Sequence, residues 1–269
     1  MILFPQAKIN LGLNVHFKRN DGYHELTTCM IPIPLYDVLE VLPAEDFEFQ
    51  SSGIEIVGNP SDNLCSKAFQ LMASHYTIPK VKMHLRKQIP MGAGLGGGSS
   101  DAASVLLALN QMFDLKCSDK ELAVLAAQLG SDCPFFIRNK PQIGKGRGEL
   151  LTDVNLDLKG KWLYLLNPAI HVSTQEAYAG IILGQNQTQT IEEIITGDIY
   201  SWKSNLKNDF EPSVFSKYPE LKEIKMTFYE SGAIYAAMSG SGSTLFGIFE
   251  EKPTLLFVDK DYSQWILPL

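Results

Sequence analysis

Five glycines crowd into seven positions, Gly92, Gly94, Gly96, Gly97 and Gly98, within the stretch Pro90-Met91-Gly92-Ala93-Gly94-Leu95-Gly96-Gly97-Gly98-Ser99-Ser100. Sequence suited to a helix follows at once, Ser99 through Met112, with Val105, Leu106, Leu109 and Met112 on one face. Glycine lets a backbone approach a ligand closely because no Cβ intervenes. A helix start adds unpaired N–H groups and the positive end of the peptide dipole. The combination is an anion site, and phosphate is the anion it suits best.

Three kinds of phosphate loop compete for this pattern, beside a plain glycine-rich turn. Gly92-x-Gly94-x-x-Gly97 fits the dinucleotide fingerprint, but that fold needs a strand after the helix. Here Ser118-x-x-Glu121 is a capping box that opens a second helix, Leu122 to Leu129, so helix follows helix. A P-loop needs Gly-Lys-Ser or Gly-Lys-Thr, and neither is present. A different nucleoside-triphosphate loop remains. A turn without a ligand gives no reason for the backbone entropy that so many glycines cost.

The elements around the loop can be read from pattern. Ile9, Leu11, Leu13 and Val15 alternate with Asn10, Gly12 and Asn14, which predicts a strand over 8–17. Asn20-Asp21-Gly22 is a turn before a second β-like run, 25–42. Strands are expected at 46–50, 54–57 and 80–86, and Asp62-Asn63 caps a helix ending near 75. Gly130 to Pro134 breaks the helix after the loop and starts a short one. A glycine-rich strand-and-turn region spans Gly144 to Asp153. The second half begins near Leu156, with a buried strand at Trp162–Pro168 and helices near 174–183, 190–196, 212–217 and 219–230. Strands at Ala233–Met238 and Thr244–Phe249 flank a second glycine loop, Ser239-Gly240-Ser241-Gly242-Ser243. Phe257 to Leu269 shows no clear pattern. Strands and helices in both halves predict an α+β protein of two lobes, 1–155 with the phosphate loop and 156–269, the active site lying in the cleft between them.

Composition narrows the partners. The chain has 269 residues, 45% apolar and 20% charged, as globular domains do. A net charge of −7 offers no footprint for nucleic acid. No apolar run approaches the roughly 18 residues of a membrane span, and the N-terminus turns polar too soon for a signal peptide. Four scattered cysteines without C-x-x-C read as reduced thiols, and the five histidines show no metal-ligand spacing. The expectation is a cytoplasmic protein, monomer or weak homodimer, with a small-molecule partner and neither nucleic acid nor membrane.

The loop Pro90–Ala103 resembles the phosphate loop of the galactokinase–homoserine kinase–mevalonate kinase–phosphomevalonate kinase (GHMP) superfamily. Ala7-Lys8-Ile9-Asn10-Leu11 followed by Asp21-Gly22-Tyr23-His24 is similar to the start of the 4-diphosphocytidyl-2-C-methyl-D-erythritol kinase family. Leu129-Gly130-Ser131-Asp132-Cys133-Pro134-Phe135 resembles its catalytic-aspartate segment, and Ser239–Ser243 its third motif. The motifs keep their order from residue 7 to about 249, and the tail beyond is short for the family. The resemblance implies a two-lobed GHMP-kinase-like fold, with an N-terminal mixed sheet and helices and a C-terminal α/β sandwich lobe. It also implies ATP-dependent phosphorylation of the 2-hydroxyl of a cytidine diphosphate-linked methylerythritol, in the non-mevalonate route to isoprenoid precursors.

A tertiary alcohol is a poor nucleophile and needs a carboxylate to take its proton. The resemblance gives that role to Asp132, with Lys8 as the cation that orients Asp132 and the hydroxyl and offsets developing charge. It assigns the ATP phosphates to Pro90–Ser100, Ser99 and Ser100 adding hydroxyls to phosphate or to magnesium, which is expected with ATP though its protein ligands are unassigned. Asn63 and Lys87 align with the nucleotide pocket. Tyr23 and Tyr178 are the expected platforms for the cytosine, with His24 at its edge. Asn10, on the Lys8 face of its strand, and Ser239, Gly240, Ser241 and Gly242 belong on the substrate side. The alternatives are a mevalonate- or homoserine-type kinase of the same superfamily, which has no use for Asp21–His24, and a nucleotide-binding relative without activity, which has no use for Lys8 and Asp132.

Overall fold

Asp37 divides what reads in sequence as one long β run. The chain is described by a computed structural model over residues 1–181, 183, 189–258 and 261–269. The elements up to the glycine loop are β1 (Ile2–Leu3), β2 (Gln6–Lys18), β3 (His24–Tyr36), β4 (Val38–Pro43), β5 (Glu48–Gly53), α1 (Leu64–His75) and β6 (Val81–Lys87). Next come α2 (Gly97–Met112), α3 (Asp119–Leu129), α4 (Phe135–Arg138), β7 (Gln142–Gly146), β8 (Leu150–Asp153) and β9 (Trp162–Asn167). The rest are α5 (Thr174–Ala179), α6 (Ile191–Ile195), α7 (Trp202–Asn205), α8 (Glu211–Lys217), α9 (Pro219–Glu230), β10 (Tyr235–Met238), β11 (Leu245–Phe249) and β12 (Ser263–Pro268). The run expected at 25–42 is thus two strands that enter different sheets.

Two compact units result, and they interleave along the chain where a single boundary at 155/156 was expected. One comprises 1–7, 35–91 and 96–140; the other comprises 8–34, 92–95 and 141–269. The first unit holds a mixed sheet of order β1-β4-β6-β5, in which only β5 and β6 run parallel, with α1 packed on α2 and both on α3. In β6 the side chains alternate strictly between core and solvent, Val81, Met83, Leu85 and Lys87 lying inward. β5 ends at Gly53, whose positive φ and contact with the Lys87 carbonyl leave no room for a Cβ. The strand expected at 54–57 is therefore absent.

The second unit holds two antiparallel sheets, β2-β3-β7-β8 and β10-β11-β9-β12. Along β2 the alternation does not mean a wet face: every residue from Ala7 to Val15 is buried, Lys8 and Asn10 included. The backbone of Leu13 pairs with Lys207 and Asp209, and that of Lys8 with Leu95, which closes the strand's edge, while the side chains of Leu206 and Ile191 pack over Gly12 on its polar side. α9 lies on β10 and β11, and the core there gathers Tyr164, Phe210, Ile224, Phe228 and Phe249. The expected helix 174–183 is shorter, and position 182 lies outside the described residues. A short 3₁₀ turn at Ile199–Ser201 leading into α7 was not foreseen.

The unpatterned tail also finds its place. Ser263–Pro268 pairs antiparallel with β9, and Tyr164 ties it down: its hydroxyl donates to Gln264 and accepts from the backbone of Leu256. Removing Ser263–Leu269 leaves β9 with an unpaired edge. The shortened chain is expected to melt at lower temperature and to aggregate on heating, read by thermal denaturation with light scattering. An unchanged melting curve would show that β12 adds nothing to the sheet.

Candidate active site

Within the second unit, the carbonyl of Gly94 is where the motifs meet. The Lys8 ammonium donates to it at 3.1 Å and to Asn10 Oδ1 at 2.6 Å. Ser239 Oγ donates to the same carbonyl at 2.8 Å. Asn10 Nδ2 in turn donates to Thr28 Oγ1, and Thr28 Oγ1 to the Gly12 carbonyl, so a hydrogen-bonded chain fixes the lysine from behind. Lys8 is 3% exposed, so its ammonium is largely desolvated where these bonds hold it. Gly94 has φ +77°, and a Cβ there would lie 2.0 Å from the Ser239 carbonyl oxygen. The first half of the phosphate loop and the second glycine loop therefore dock backbone to backbone. Of the residues expected on the substrate side, Asn10, Ser239 and Gly240 lie at this junction, and Ser241 lies 3.4 Å from Thr174 at its hydroxyl.

The turn before β3 lies in the same unit. Arg19 N–H donates to the Tyr23 carbonyl, Asp21 accepts from the Tyr23 backbone, and Arg19 pairs with Glu25 at 2.7 Å. Tyr23 is exposed, with the Arg147 guanidinium 4.7 Å from its ring centre. His24 stacks on Tyr178, ring centres 4.8 Å apart, and Tyr178 meets Phe210 edge-on. The rings of His24 and Tyr178 are brought together, then, but on each other. Burial, and after it Lys18, lowers the His24 pKa, leaving near neutral pH a ring with one donor and one acceptor.

In the first unit the loop continues into α2 through Gly96, at φ +68°, with no side-chain cap on the helix. Its opening N–H groups are left for a ligand or for water. Ser99 lies beside the turn that carries Asp132: its Oγ is 4.0 Å from where a Cβ on Gly130 would stand. That turn joins α3 to α4, and the N-cap position of α4 is Pro134. Asn63 is the N-cap of α1, its Oδ1 accepting from Cys65 N at 2.8 Å. Lys87 is fully buried, its ammonium bonded to Asp37 and, at 2.9 Å, to Asp101.

One cation between two carboxylates leaves one of them short. Asp37 also accepts from the backbone of Gln88 and Ile89, whereas Asp101 has a buried oxygen, Oδ1, with no partner. Burial pushes the Asp101 carboxyl up to about 7, the Lys87 charge opposing and the Asp37 charge reinforcing. Burial acts to lower the lysine, and the two carboxylates outweigh it and raise it.

Three groups of supporting residues escaped the sequence reading. Asn208 Nδ2 donates to the carbonyls of Met238 and Gly240, both at 2.8 Å, and Glu211 Oε1 accepts from Met238 N, so the segment before α8 holds the second glycine loop. Asp37 and Asp101 fix Lys87, and Arg147 covers Tyr23. An Asn-Asp pair between helices signals only a turn in sequence. Single aspartates carry no signal at all.

Two expectations follow. Replacing Asn208 by Ala strips three buried hydrogen bonds and should cost about 2–3 kcal/mol in urea unfolding. For Asp101 the raised value sets the sign. Below the ordinary carboxylate range the folded and unfolded chains both carry the proton; between that range and about 7 only the unfolded chain ionises freely, and stability is lost. The melting temperature of Asp101→Asn relative to the parent should rise between about pH 4 and about pH 7 and level off beyond. A constant difference would mean that Asp101 is ionised throughout.

Family models place the chain. "GHMP kinases N terminal domain" matches residues 63–140 and "GHMP kinases C terminal" matches 190–257. A 4-diphosphocytidyl-2-C-methyl-D-erythritol kinase of Azobacteroides pseudotrichonymphae genomovar. CFP2 is 50% identical over 251 residues, 93% of this chain and 94% of that protein. The protein of the same name from Cytophaga hutchinsonii is 49% identical, over 94% of each chain. A crystal structure of 4-(cytidine 5'-diphospho)-2C-methyl-D-erythritol kinase superposes with TM-score 0.83 at 33% identity, covering 100% of this chain and 99% of its own. A chain with these motifs in this order, on this fold and at this identity over nearly its whole length, belongs to the 4-diphosphocytidyl-2-C-methyl-D-erythritol kinase family of GHMP kinases.

Proposed function

We propose that this ATP-dependent kinase phosphorylates the 2-hydroxyl of 4-diphosphocytidyl-2-C-methyl-D-erythritol, Asp132 acting as general base and Lys8 as the charge that stabilises the reacting phosphoryl group. The observation that carries the reading is the fixed ammonium of Lys8, buried and held at the carbonyl of a phosphate-loop glycine. Phosphoryl transfer asks little covalent chemistry of a protein and much positioning and charge stabilisation. The hydroxyl oxygen bonds to the γ-phosphorus, the bond to the β-phosphate oxygen breaks, and the hydroxyl proton passes to Asp132. An ammonium that is already desolvated and aimed needs no reorganisation at that moment. The names of the relatives at about 50% identity support the substrate.

The loop from Pro90 through Ser100 is assigned to the ATP phosphates. Asn63, at the cap of α1, lines the nucleotide pocket. Magnesium enters this reading with the nucleotide. Among the described residues no group of three or more His, Cys, Asp or Glu side chains could hold a metal. That fits an ion whose ligands come mostly from phosphate oxygens, with few from the protein. When bound it neutralises phosphate charge.

For the second substrate, Tyr23 offers an exposed face backed by Arg147, and the His24–Tyr178 pair offers the other. Base stacking on such rings is tolerant of detail, whereas the neutral imidazole of His24 supplies the edge contact that identifies cytosine. Asn10, spent on Lys8 and Thr28, serves here by aiming the lysine, and Ser239 through Gly242 frame the substrate phosphates.

The direct test supplies the protein with magnesium, ATP and the cytidyl substrate, with mevalonate and homoserine in parallel, and measures ADP and phosphorylated product. Product from the cytidyl substrate alone is expected. Transfer to mevalonate or homoserine instead would overturn Tyr23, His24 and Tyr178. Asp132→Asn should lower turnover by about 10²–10⁴-fold with ATP binding intact. Tyr23→Ala should raise the KM for the cytidyl substrate by about 5–150-fold and leave that for ATP alone, the value of one base stack. Equal effects on both substrates would remove the stacking role.

A further inference from the structure

Gly97 opens α2 with no positive φ to account for its glycine. What excludes a side chain is packing. A Cβ at Gly97 would stand 2.8 Å from the Lys87 ammonium and 2.9 Å from the Ile89 side chain. The ammonium therefore lies directly behind the first helical residue of the glycine loop, on the protein side. It reaches that place by two constraints. The period-2 alternation of β6 turns Lys87 inward, and Asp37 and Asp101 clamp its end from β3–β4 and from α2. Asp37 is itself locked by the backbone N–H groups of Gln88 and Ile89, the residues leading into the loop.

The arrangement is costly as a mere fold element. A buried ammonium with two carboxylates, one with an orphaned oxygen, contributes less stability than apolar side chains of the same volume. Its placement makes sense as an oriented ion cluster. At the N-terminus of α2 the peptide dipole already favours an anion, and the ammonium is the member of the cluster nearest Gly97, so the positive end of the cluster's dipole, not a net charge, adds to that field without touching the ligand.

We propose that Asp37 and Asp101 hold the Lys87 ammonium behind Gly97 as the near, positive end of a buried ion cluster, and so strengthen triphosphate binding at the start of α2. Lys87 is thus a positioning residue that acts through the loop backbone, and Asp101 holds it there from within the helix that the loop opens. The proposal rests on the assignment of this loop to the ATP phosphates.

The test is ATP affinity in the absence of turnover, measured by calorimetry on folded protein, with thermal melts alongside. Lys87→Met should weaken ATP binding by about tenfold, and Asp101→Ala, which frees the ammonium from one anchor, by several fold. Asp101→Asn keeps an acceptor for the ammonium and should restore most of the affinity lost in Asp101→Ala. Steady-state kinetics should show the loss in the KM for ATP, not in kcat. If Lys87→Met fails to fold, the Asp101 pair decides. Variants that melt lower yet bind ATP as the parent does would reduce the triad to a structural role and overturn the proposal. No ATP binding by the unmodified protein would instead overturn the assignment of the loop, and the proposal with it.

Discussion

The second unit is organised around one carbonyl oxygen, that of Gly94, which receives both the Lys8 ammonium and the Ser239 hydroxyl. The contact requires the first glycine loop, the second glycine loop and β2 to converge within hydrogen-bond distance. Two of the glycines permit it. At Gly94 a side chain would strike the Ser239 carbonyl, and Gly240, at φ +57°, takes a left-handed backbone angle beside Asn10. Asn208 holds the carbonyls of Met238 and Gly240, so the second loop is fixed through its backbone as well as through Ser239. A lysine aimed in this way has little conformational entropy left to lose when a phosphate arrives.

The same economy appears in the first unit by a different device. There the loop's second half is backed by an ammonium that two carboxylates hold, and the glycine at the contact is required by packing, not by backbone angle. Buried ion clusters seldom add net stability. This one is placed beside a helix start where charge has a use, and the helix carries no side-chain cap that would occupy its N–H groups.

Much of the chain could be read in advance because its signals are local. The capping box Ser118–Glu121, the cap at Asn63, the turn after Arg19 and the strands β6, β9 and β11 stand where period and turn chemistry put them. The failures share a cause. β2 alternates in sequence yet is buried on both faces, since Ile191 and Leu206, far along the chain, pack over its polar side. The run 25–42 divides because its two parts enter different sheets, and no residue type announces that. The tail from Ser263 has no pattern of its own because its position is set by β9 and by the hydroxyl of Tyr164.

By itself the sequence determined the glycine-rich loop, the order of the motifs and many of the element ends, because glycine spacing, caps and period are properties of neighbours along a chain. The tertiary structure decided which of those residues share an environment. It made Lys8 a buried charge on Gly94, set His24 against Tyr178, and turned Lys87 from a strand-end lysine into the centre of a triad. Burial, electrostatic pairing and the room for a Cβ depend on atoms brought together from distant positions, and a linear pattern does not carry them.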